Sequence, residues 1–151
     1  MIWFLGVVAL SVRFLGGLLF TQRLRNKLTK AVPKHIEERL EALASKLNLK
    51  GVQILESLSV HVPMVIGWLK PVVLLPTSSL SGLSVKQLEM ILAHELAHIR
   101  RNDYLINVLQ TVIETLFFYH PAVWWVSQKV REEREHCCDD LAVALCGGSK
   151  L

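Results

Sequence analysis

The run His94-Glu95-Leu96-Ala97-His98 constrains this chain more than any other feature, because its chemistry requires a helix. Residues four apart on an α-helix lie on one face, so His94 and His98 can reach one metal ion. Glu95 would then lie beside the ion, where it acts on the water in the open coordination position. Apolar residues surround the motif, and burying two imidazoles and a carboxylate without a partner is costly. The pattern predicts a zinc site, and a buried polar network is the alternative.

A catalytic zinc needs a third protein ligand and one open position. Glu135 is the predicted ligand, because Asp139 follows it by four residues on the same helical face. A carboxylate such as Asp139 can hold a ligand imidazole in its metal-binding tautomer. If Glu135 is not the ligand, Glu132 and His136 are the next candidates.

The helix that carries the motif has clear boundary signals. Ser84 and Gln87 are spaced as a capping box, which predicts a helix start, and the pattern continues to about Arg101. Asn102-Asp103 then resembles the start of a second helix. Asp103 lies five residues after His98, so it is predicted either to support that imidazole or to serve as a plain N-cap.

The start of the chain predicts a membrane span. Of the 151 residues 52% are hydrophobic, and the mean hydropathy is +0.38, which is high for a soluble enzyme. The segment from Ile2 to Phe20 is apolar apart from Ser11, Arg13 and small glycines, and it is about long enough to cross a bilayer core. Arg13 is costly in such a span. A buried amphipathic helix is the alternative.

A basic run follows the apolar segment, and it contains Arg23, Arg25, Lys27, Lys30 and Lys34. Basic flanks face the cytoplasm, so we expect a cell-membrane protein whose peptidase domain is cytoplasmic. A solvated face is the alternative for this run. The predicted organisation is a transmembrane helix at 1–20, a basic linker at 21–34 and a zinc peptidase domain at 35–151, truncated at its C-terminus. Scattered Lys and Arg without a nucleic-acid motif predict no nucleic-acid partner.

The region before the motif predicts a small mixed layer. Pro33 to Leu47 has the stripe of an amphipathic helix, and 52–62 is rich in β-branched residues, as expected for one or two strands. Residues 64–69 and 71–76 resemble a hairpin or a bent pair of strands. Pro71 and Pro76 predict an edge position for the second of these strands. An edge strand beside the zinc helix could bind an extended substrate, and an ordinary sheet covering the helices is equally compatible.

Two further helices are predicted after the motif. Tyr104 to Leu116 is amphipathic, and its polar stripe argues against a lipid-exposed span. The aromatic segment 117–125 favours a membrane interface or core packing equally. Pro121 suits the first turn of the helix that carries Glu135. The isolated His120 is interpreted as structural.

Three cysteines, Cys137, Cys138 and Cys146, do not form a disulfide framework, and in a reducing cytoplasm they would be free thiols. Adjacent side chains on a helix point about 100° apart, so Cys137 and Cys138 cannot both join a metal site. Packing is their predicted role.

Three segments resemble the BlaR/MecR-type membrane metallopeptidases: 94–103 (HELAHIRRND), 118–125 (FYHPAVWW) and 134–140 (REHCCDD). Residues 67–76 also resemble the segment before the metal helix in that family. More distantly, the Glu135-x-x-x-Asp139 element is similar to HtpX and the CAAX prenyl proteases. The resemblance implies an α+β fold: a mainly helical, gluzincin-like zinc peptidase domain with a small β-sheet, preceded by a transmembrane helix.

The resemblance also implies a cytoplasmic zinc endopeptidase that acts on a protein or peptide, such as a transcriptional repressor or the protein itself. In sensor members, an outer penicillin-binding-like domain signals inward. The Ser-x-x-Lys and Lys-Thr-Gly elements of such a domain are missing from this sequence, so β-lactam sensing does not follow. The alternatives are a non-catalytic signal-transducing module with a structural or regulatory zinc, and a membrane scaffold without metal. Glu95 weighs against the first, because a structural clasp needs no general base.

Overall fold

The computed structural model describes residues 1–26 and 29–147. Lys27 of the basic run and residues 148–151 of the predicted peptidase domain lie outside this range. The fold is α+β and mainly helical, as predicted. The helices are α1 (Ile2–Asn26), α2 (Lys34–Lys46), α3 (Thr77–Gly82), α4 (Val85–Arg100), α5 (Asp103–Leu116) and α6 (Pro121–Cys146), and the strands are β1 (Thr29–Ala31), β2 (Gln53–Ser57), β3 (Met64–Ile66) and β4 (Val72–Pro76).

The four strands form one sheet in the order β1-β2-β4-β3. β2 and β4 are parallel, whereas β1 on β2 and β3 on β4 are antiparallel. The antiparallel pairing of β3 and β4 confirms the predicted hairpin. The predicted edge position of β4 is wrong, because β4 lies between β2 and β3 and the edge belongs to β3. Pro71 precedes β4 and Pro76 ends it, so neither proline interrupts the hydrogen-bond ladder inside the strand.

The core lies between one face of the sheet and the helices α2, α4 and α6. It contains Ile36, Leu40, Ile54, Val73, Leu75, Leu92, Leu96 and Ala142. β4 is fully buried along its length. Helices cover one face, and on the other face Val72 and Leu74 of β4 form a smaller cluster with Val60 and Ile66. This packing fixes α4 firmly against the sheet and leaves its histidine face toward a cleft.

The helix boundaries follow from local chemistry. The capping box is present. Ser84 Oγ accepts a hydrogen bond from the Gln87 backbone N–H, and Gln87 Oε1 accepts one from the Ser84 backbone N–H. Asn102 adopts a left-handed conformation with φ of 56°, which asparagine tolerates, and this tight turn separates α4 from α5. Pro121 occupies the first turn of α6, as predicted.

Helix α1 is longer than the predicted span, since it continues to Asn26. Residues Trp3–Arg23 are long and apolar enough to cross a membrane, with a hydropathy of 1.9 and no part of that segment buried. The predicted basic linker, 21–34, contains the end of α1 and the strand β1, which pairs with β2. The chain between α1 and α2 is therefore partly built into the sheet.

Candidate metal and catalytic centre

Two helices bring the predicted metal ligands together. His94 and His98 lie one turn apart on α4, and Glu135 lies on α6, the helix that packs most extensively against α4. The two Nε2 atoms are 3.1 Å apart. Glu135 Oε2 is 3.3 Å from Nε2 of His94 and 3.8 Å from Nε2 of His98. Three potential ligand atoms thus face one point.

These separations fit a zinc ion. Zn–N and Zn–O bonds of about 2.0–2.2 Å in tetrahedral geometry place neighbouring ligand atoms about 3.4 Å apart. The three observed distances of 3.1, 3.3 and 3.8 Å cluster around that value. All three side chains are only partly covered, so a fourth position remains open toward the cleft.

A second feature, the hydrogen bonding of the two rings, also fits a cation. Asp139 Oδ1 lies 2.9 Å from Nδ1 of His94, and Asp103 Oδ2 lies 2.7 Å from Nδ1 of His98. Each carboxylate oxygen accepts a hydrogen bond from the Nδ1–H of its ring, so in the neutral imidazoles the Nε2 atoms carry lone pairs. Two nitrogen lone pairs and a carboxylate oxygen then point at one another, an arrangement that a bound cation relieves.

Glu95 is placed differently from the three clustered side chains. It lies next to His94 on α4 and is buried, with 8% of its surface exposed. Burial raises the pKa of its carboxyl to about 7, with the His94 charge lowering the pKa and the Glu135 charge raising it further. A carboxyl with a pKa near neutrality can both accept and return a proton at physiological pH.

Asp103 is more than a plain N-cap. It is the first residue of α5 and is buried, and Asn102 occupies the N-cap position without a side-chain capping bond. Two guanidinium groups approach its other carboxylate oxygen, that of Arg101 at 3.8 Å and that of Arg134 at 4.0 Å. Asp103 therefore lies between the His98 ring and two guanidinium groups.

Sequence reasoning missed Arg134, a buried side chain that connects α6 to the start of α5. Its guanidinium donates to the Asn107 side chain at 2.6 Å and to the Asp103 carbonyl at 3.4 Å. The one signal for Arg134 in the sequence is its position directly before Glu135. Arg134 therefore couples the helix that carries Glu135 to the carboxylate that supports His98.

The cysteines divide into two environments. Cys138 is fully buried behind His98, with its sulfur 3.4 Å from Nδ1 of that ring. Burial, and then the Asp103 charge, raise its pKa to about 12, so it packs as a neutral thiol. His98, Asp103 and Cys138 form a second cluster of possible ligands, but they surround the opposite ring nitrogen and two of the three are buried. Cys137 is exposed, so the predicted packing role is wrong for that residue.

The other candidates lie away from this point. Glu132 pairs with Lys129, at 2.6 Å, and His136 is exposed. Asp140 is exposed next to Asp139. His120 is the exposed N-cap residue of α6. Among the described residues, the side chains brought together here are therefore the predicted ones, His94, His98 and Glu135.

The three candidate ligands open into a cleft of about 530 Å³ between α4 and the edge strand β3. β3 and the turn after it form one wall, with Met64, Val65, Gly67, Trp68 and Leu69, and His94, Glu95, His98 and Glu135 form the opposite side. β3 has β4 on one side only, so its outer edge is free to pair with an extended chain within the described part of the sheet.

Comparison with known proteins places this site in a family. Residues 1–149 match the family described as BlaR1 peptidase M56. The chain belongs to this family. It is 31% identical to the methicillin resistance mecR1 protein of Staphylococcus aureus over 107 residues, which cover 70% of this chain and 18% of that protein. It is 26% identical to the regulatory protein BlaR1 of Bacillus licheniformis over 139 residues, which cover 91% of this chain and 23% of that protein.

Membership confirms the family resemblance carried by the motifs. The BlaR1 protein of Staphylococcus aureus is 25% identical over 135 residues, which cover 89% of this chain and 23% of that protein. The chain therefore spans about a fifth of the length of the curated relatives it matches. The M56 name denotes a peptidase family, and the match extends across α1 as well as the helices that carry the site.

Proposed function

We propose that this chain is a membrane-tethered, zinc-dependent endopeptidase that hydrolyses peptide bonds of a protein substrate. Its ligands are His94, His98 and Glu135, and Glu95 is the catalytic residue. The single observation that carries the proposal is the buried Glu95 carboxyl beside the ligand cluster, at the floor of a cleft with a free strand edge. A structural zinc site is closed and needs no such group.

Zn²⁺ bound by these residues would supply Lewis acidity, which polarises the scissile carbonyl and acidifies the attacking water. Glu95 accepts a proton from that water as its oxygen adds to the carbonyl carbon. Glu95 then delivers the proton to the amide nitrogen as the C–N bond breaks, so the products are a carboxylic acid and an amine. Asp139 and Asp103 hold the two imidazoles in the tautomer that leaves each Nε2 free.

The substrate is proposed to bind as an extended segment along β3. Backbone hydrogen bonds to the strand edge would align the chain beside Glu95, with little dependence on its side chains. The relatives are named as regulatory and resistance proteins, which supports a role in regulatory signalling. A transcriptional repressor is the substrate proposed from the family resemblance. The alternative is a non-catalytic signal-transducing module in which zinc is a structural or regulatory clasp.

Tethering and orientation belong to the same proposal. Trp3–Arg23 of α1 would cross the cell membrane, and Lys30 and Lys34 follow Arg23 at its end. The positive-inside rule then places the peptidase domain in the cytoplasm. Residues 1–20, 21–34 and 35–151 keep their proposed roles as span, basic linker and peptidase domain, with the linker contributing β1 to the sheet.

The decisive test compares Glu95→Gln with Glu133→Gln, an exposed residue of α6 outside the cleft. Cleavage of dye-labelled, unfolded casein by the zinc-loaded chain is the readout. Glu95→Gln should retain zinc and lose at least about 10²-fold in rate, the usual scale for a positioned general base, while Glu133→Gln should match the parent. Equal rates for Glu95→Gln and the parent would refute the mechanism. A zinc-loaded parent that cleaves nothing would favour the signalling module.

A further inference from the structure

Helix α5 has part of its polar stripe turned inward and its apolar stripe turned outward. Gln110 is buried, and its side-chain amide donates a 2.6 Å hydrogen bond to the carbonyl of Ser127 on α6. On the opposite stripe, side chains that would normally form a core are 37–61% exposed: Leu105, Leu109, Val112, Ile113 and Leu116. A helix in water buries its apolar stripe instead. The outer face of α5 is suited to an apolar solvent.

The apolar surface continues around the turn and onto α6. Its exposed members there are Phe117, Tyr119, Trp124, Trp125, Val126 and Val130. From Tyr104 to Gln128 the sequence carries one charged residue, Glu114. The Glu114 side chain is 15% exposed and pairs with Arg131 at 2.7 Å. A lone charge that is paired and turned inward is what a segment inside a membrane requires.

Helix α5 lies beside α1 and runs antiparallel to it. At one end, Trp3 Nε1 donates to the Leu116 carbonyl at 3.1 Å, and Gly6 lies so close to Phe118 that a Cβ atom would meet the ring at 2.6 Å. At the other end, Thr21 and Tyr104 line a common cavity of about 640 Å³. α5 therefore runs alongside the segment of α1 that is apolar enough to cross a membrane.

The same cavity is lined by Arg13, the charged residue in the middle of the proposed membrane span. Arg13 lines the cavity together with Thr111 and Glu114, which belong to the polar stripe of α5. Thr111 and Glu114 thus place polar atoms in the cavity that the exposed Arg13 side chain also lines. The polar stripe of α5, which argues against a lipid-exposed span, therefore lies partly against α1 and α6.

Three successive carbonyl groups at the turn between α5 and α6 each accept a hydrogen bond within the protein. The Leu116 carbonyl accepts from the Trp3 indole, and the Phe117 carbonyl accepts from the His120 backbone N–H at 2.9 Å. The Phe118 carbonyl accepts from the Trp124 indole at 2.7 Å. In water these groups would need no protein partner, whereas in hydrocarbon each unpaired carbonyl costs several kcal/mol. Three successive pairings are what a turn within lipid requires.

We propose that Leu109–Gln128 forms a helical hairpin that inserts into the lipid bilayer beside α1, with acyl chains covering its apolar face. Lys129, paired with Glu132, is the first charged residue after Glu114. Pro121 to Gln128 is about 12 Å long at 1.5 Å per residue, too short to cross a core of about 30 Å. The hairpin therefore enters the bilayer without crossing it. This inference rests on the membrane tether of the proposed function.

The consequence for function is a peptidase centre fixed at the membrane surface. Asp103, at the start of α5, supports His98, and Glu135 lies on α6 beyond the inserted part. Each helix of the hairpin therefore carries, outside the inserted part, a residue that belongs to the candidate metal site. The cleft would accept chains that lie close to the lipid surface.

The test uses spin labels on the 151-residue chain in vesicles of phosphatidylcholine and phosphatidylglycerol. Labels are attached through Leu109→Cys or Val126→Cys in the hairpin, with Leu15→Cys on α1 and Glu41→Cys on α2 as matched lipid and water controls. Cys137 and Cys146 are changed to Ser, while Cys138 is buried. Relaxation enhancement by oxygen, which concentrates in lipid, is compared with enhancement by a water-soluble nickel chelate. Zinc content and circular dichroism confirm that each variant is folded.

Labels at 109 and 126 should resemble that at 15, with oxygen more effective than nickel, and the label at 41 should show the reverse. If the hairpin labels resemble that at 41 while 15 remains in lipid, the hairpin proposal is overturned and the tether stands. Low access to both reagents with spin–spin broadening would mean that a second copy covers the face, which also overturns it. If the label at 15 is in water too, the membrane-tether proposal and the hairpin proposal both fail. Zinc binding by the same samples then tests the proposed metal ligands separately.

Discussion

Asp139 Oδ1 lies 2.9 Å from Nδ1 of His94, one helical turn beyond Glu135 on the same face of α6. The two carboxylates therefore contact opposite nitrogens of one imidazole ring, because Glu135 Oε2 approaches Nε2 at 3.3 Å. One helix supplies both a proposed ligand and the group that orients another ligand.

The first prediction concerns this orienting contact. Asp139→Asn should weaken zinc binding about 10–100-fold, the usual cost of losing a carboxylate that supports a ligand imidazole. Asp140→Asn is the matched control and should be nearly silent, because Asp140 is exposed and rotated about 100° from Asp139. A zinc titration against a competing chelator measures both variants. If Asp140→Asn is the damaged protein, the assigned face of α6 is wrong.

The second prediction concerns the ligands themselves. The purified chain should hold about one zinc ion, and His94→Ala, His98→Ala or Glu135→Ala should each weaken binding more than Asp139→Asn does. Glu132→Ala, one turn earlier on α6 and paired with Lys129, should bind zinc normally. Metal analysis after dialysis provides the measurement. Full occupancy in Glu135→Ala would exclude that residue as the third ligand.

The third prediction is a pH dependence in the metal-free protein. Burial raises the pKa of Glu95 from 4.5 to about 7, so the folded chain retains a proton that the unfolded chain releases. The free energy of unfolding should therefore fall as pH rises from about 4.5 to about 7, by at most about 3 kcal/mol from this group.

Comparison of the parent with Glu95→Gln isolates that contribution. Thermal unfolding of metal-free protein across this pH range should give a steeper decline for the parent than for the variant, which cannot ionise. Parallel profiles would show that Glu95 titrates normally. Zinc binding should reduce the difference, because a nearby cation favours the carboxylate.

The fourth prediction concerns orientation in the cell. A membrane-impermeant maleimide should label the exposed Cys137 only after the cells are opened, because the peptidase domain is proposed to be cytoplasmic. Cys137→Ser should remove most of the signal, since Cys138 is buried. Labelling of Cys137 in intact cells would reverse the proposed orientation.

Several features of the site were readable in the sequence because they depend on spacing within one helix. The four-residue separations His94 to His98 and Glu135 to Asp139 each place two side chains on one face. The Ser84 capping box fixes where α4 begins, so its register was predictable. The meeting of α4 and α6 was expected only from the chemistry of zinc, and the structure shows the approach as an Nε2–Oε2 distance of 3.3 Å between His94 and Glu135.

Tertiary structure alone decided which surfaces are covered. The sequence determined that α5 has an apolar and a polar stripe, but not that Gln110 turns inward while Leu109 is exposed. It likewise placed prolines at both ends of β4 without showing that β4 is an interior strand. Periodicity fixes which side chains share a face, because it is a property of the local backbone. Which face meets water, lipid or protein depends on the elements packed against it, and those come from distant parts of the chain.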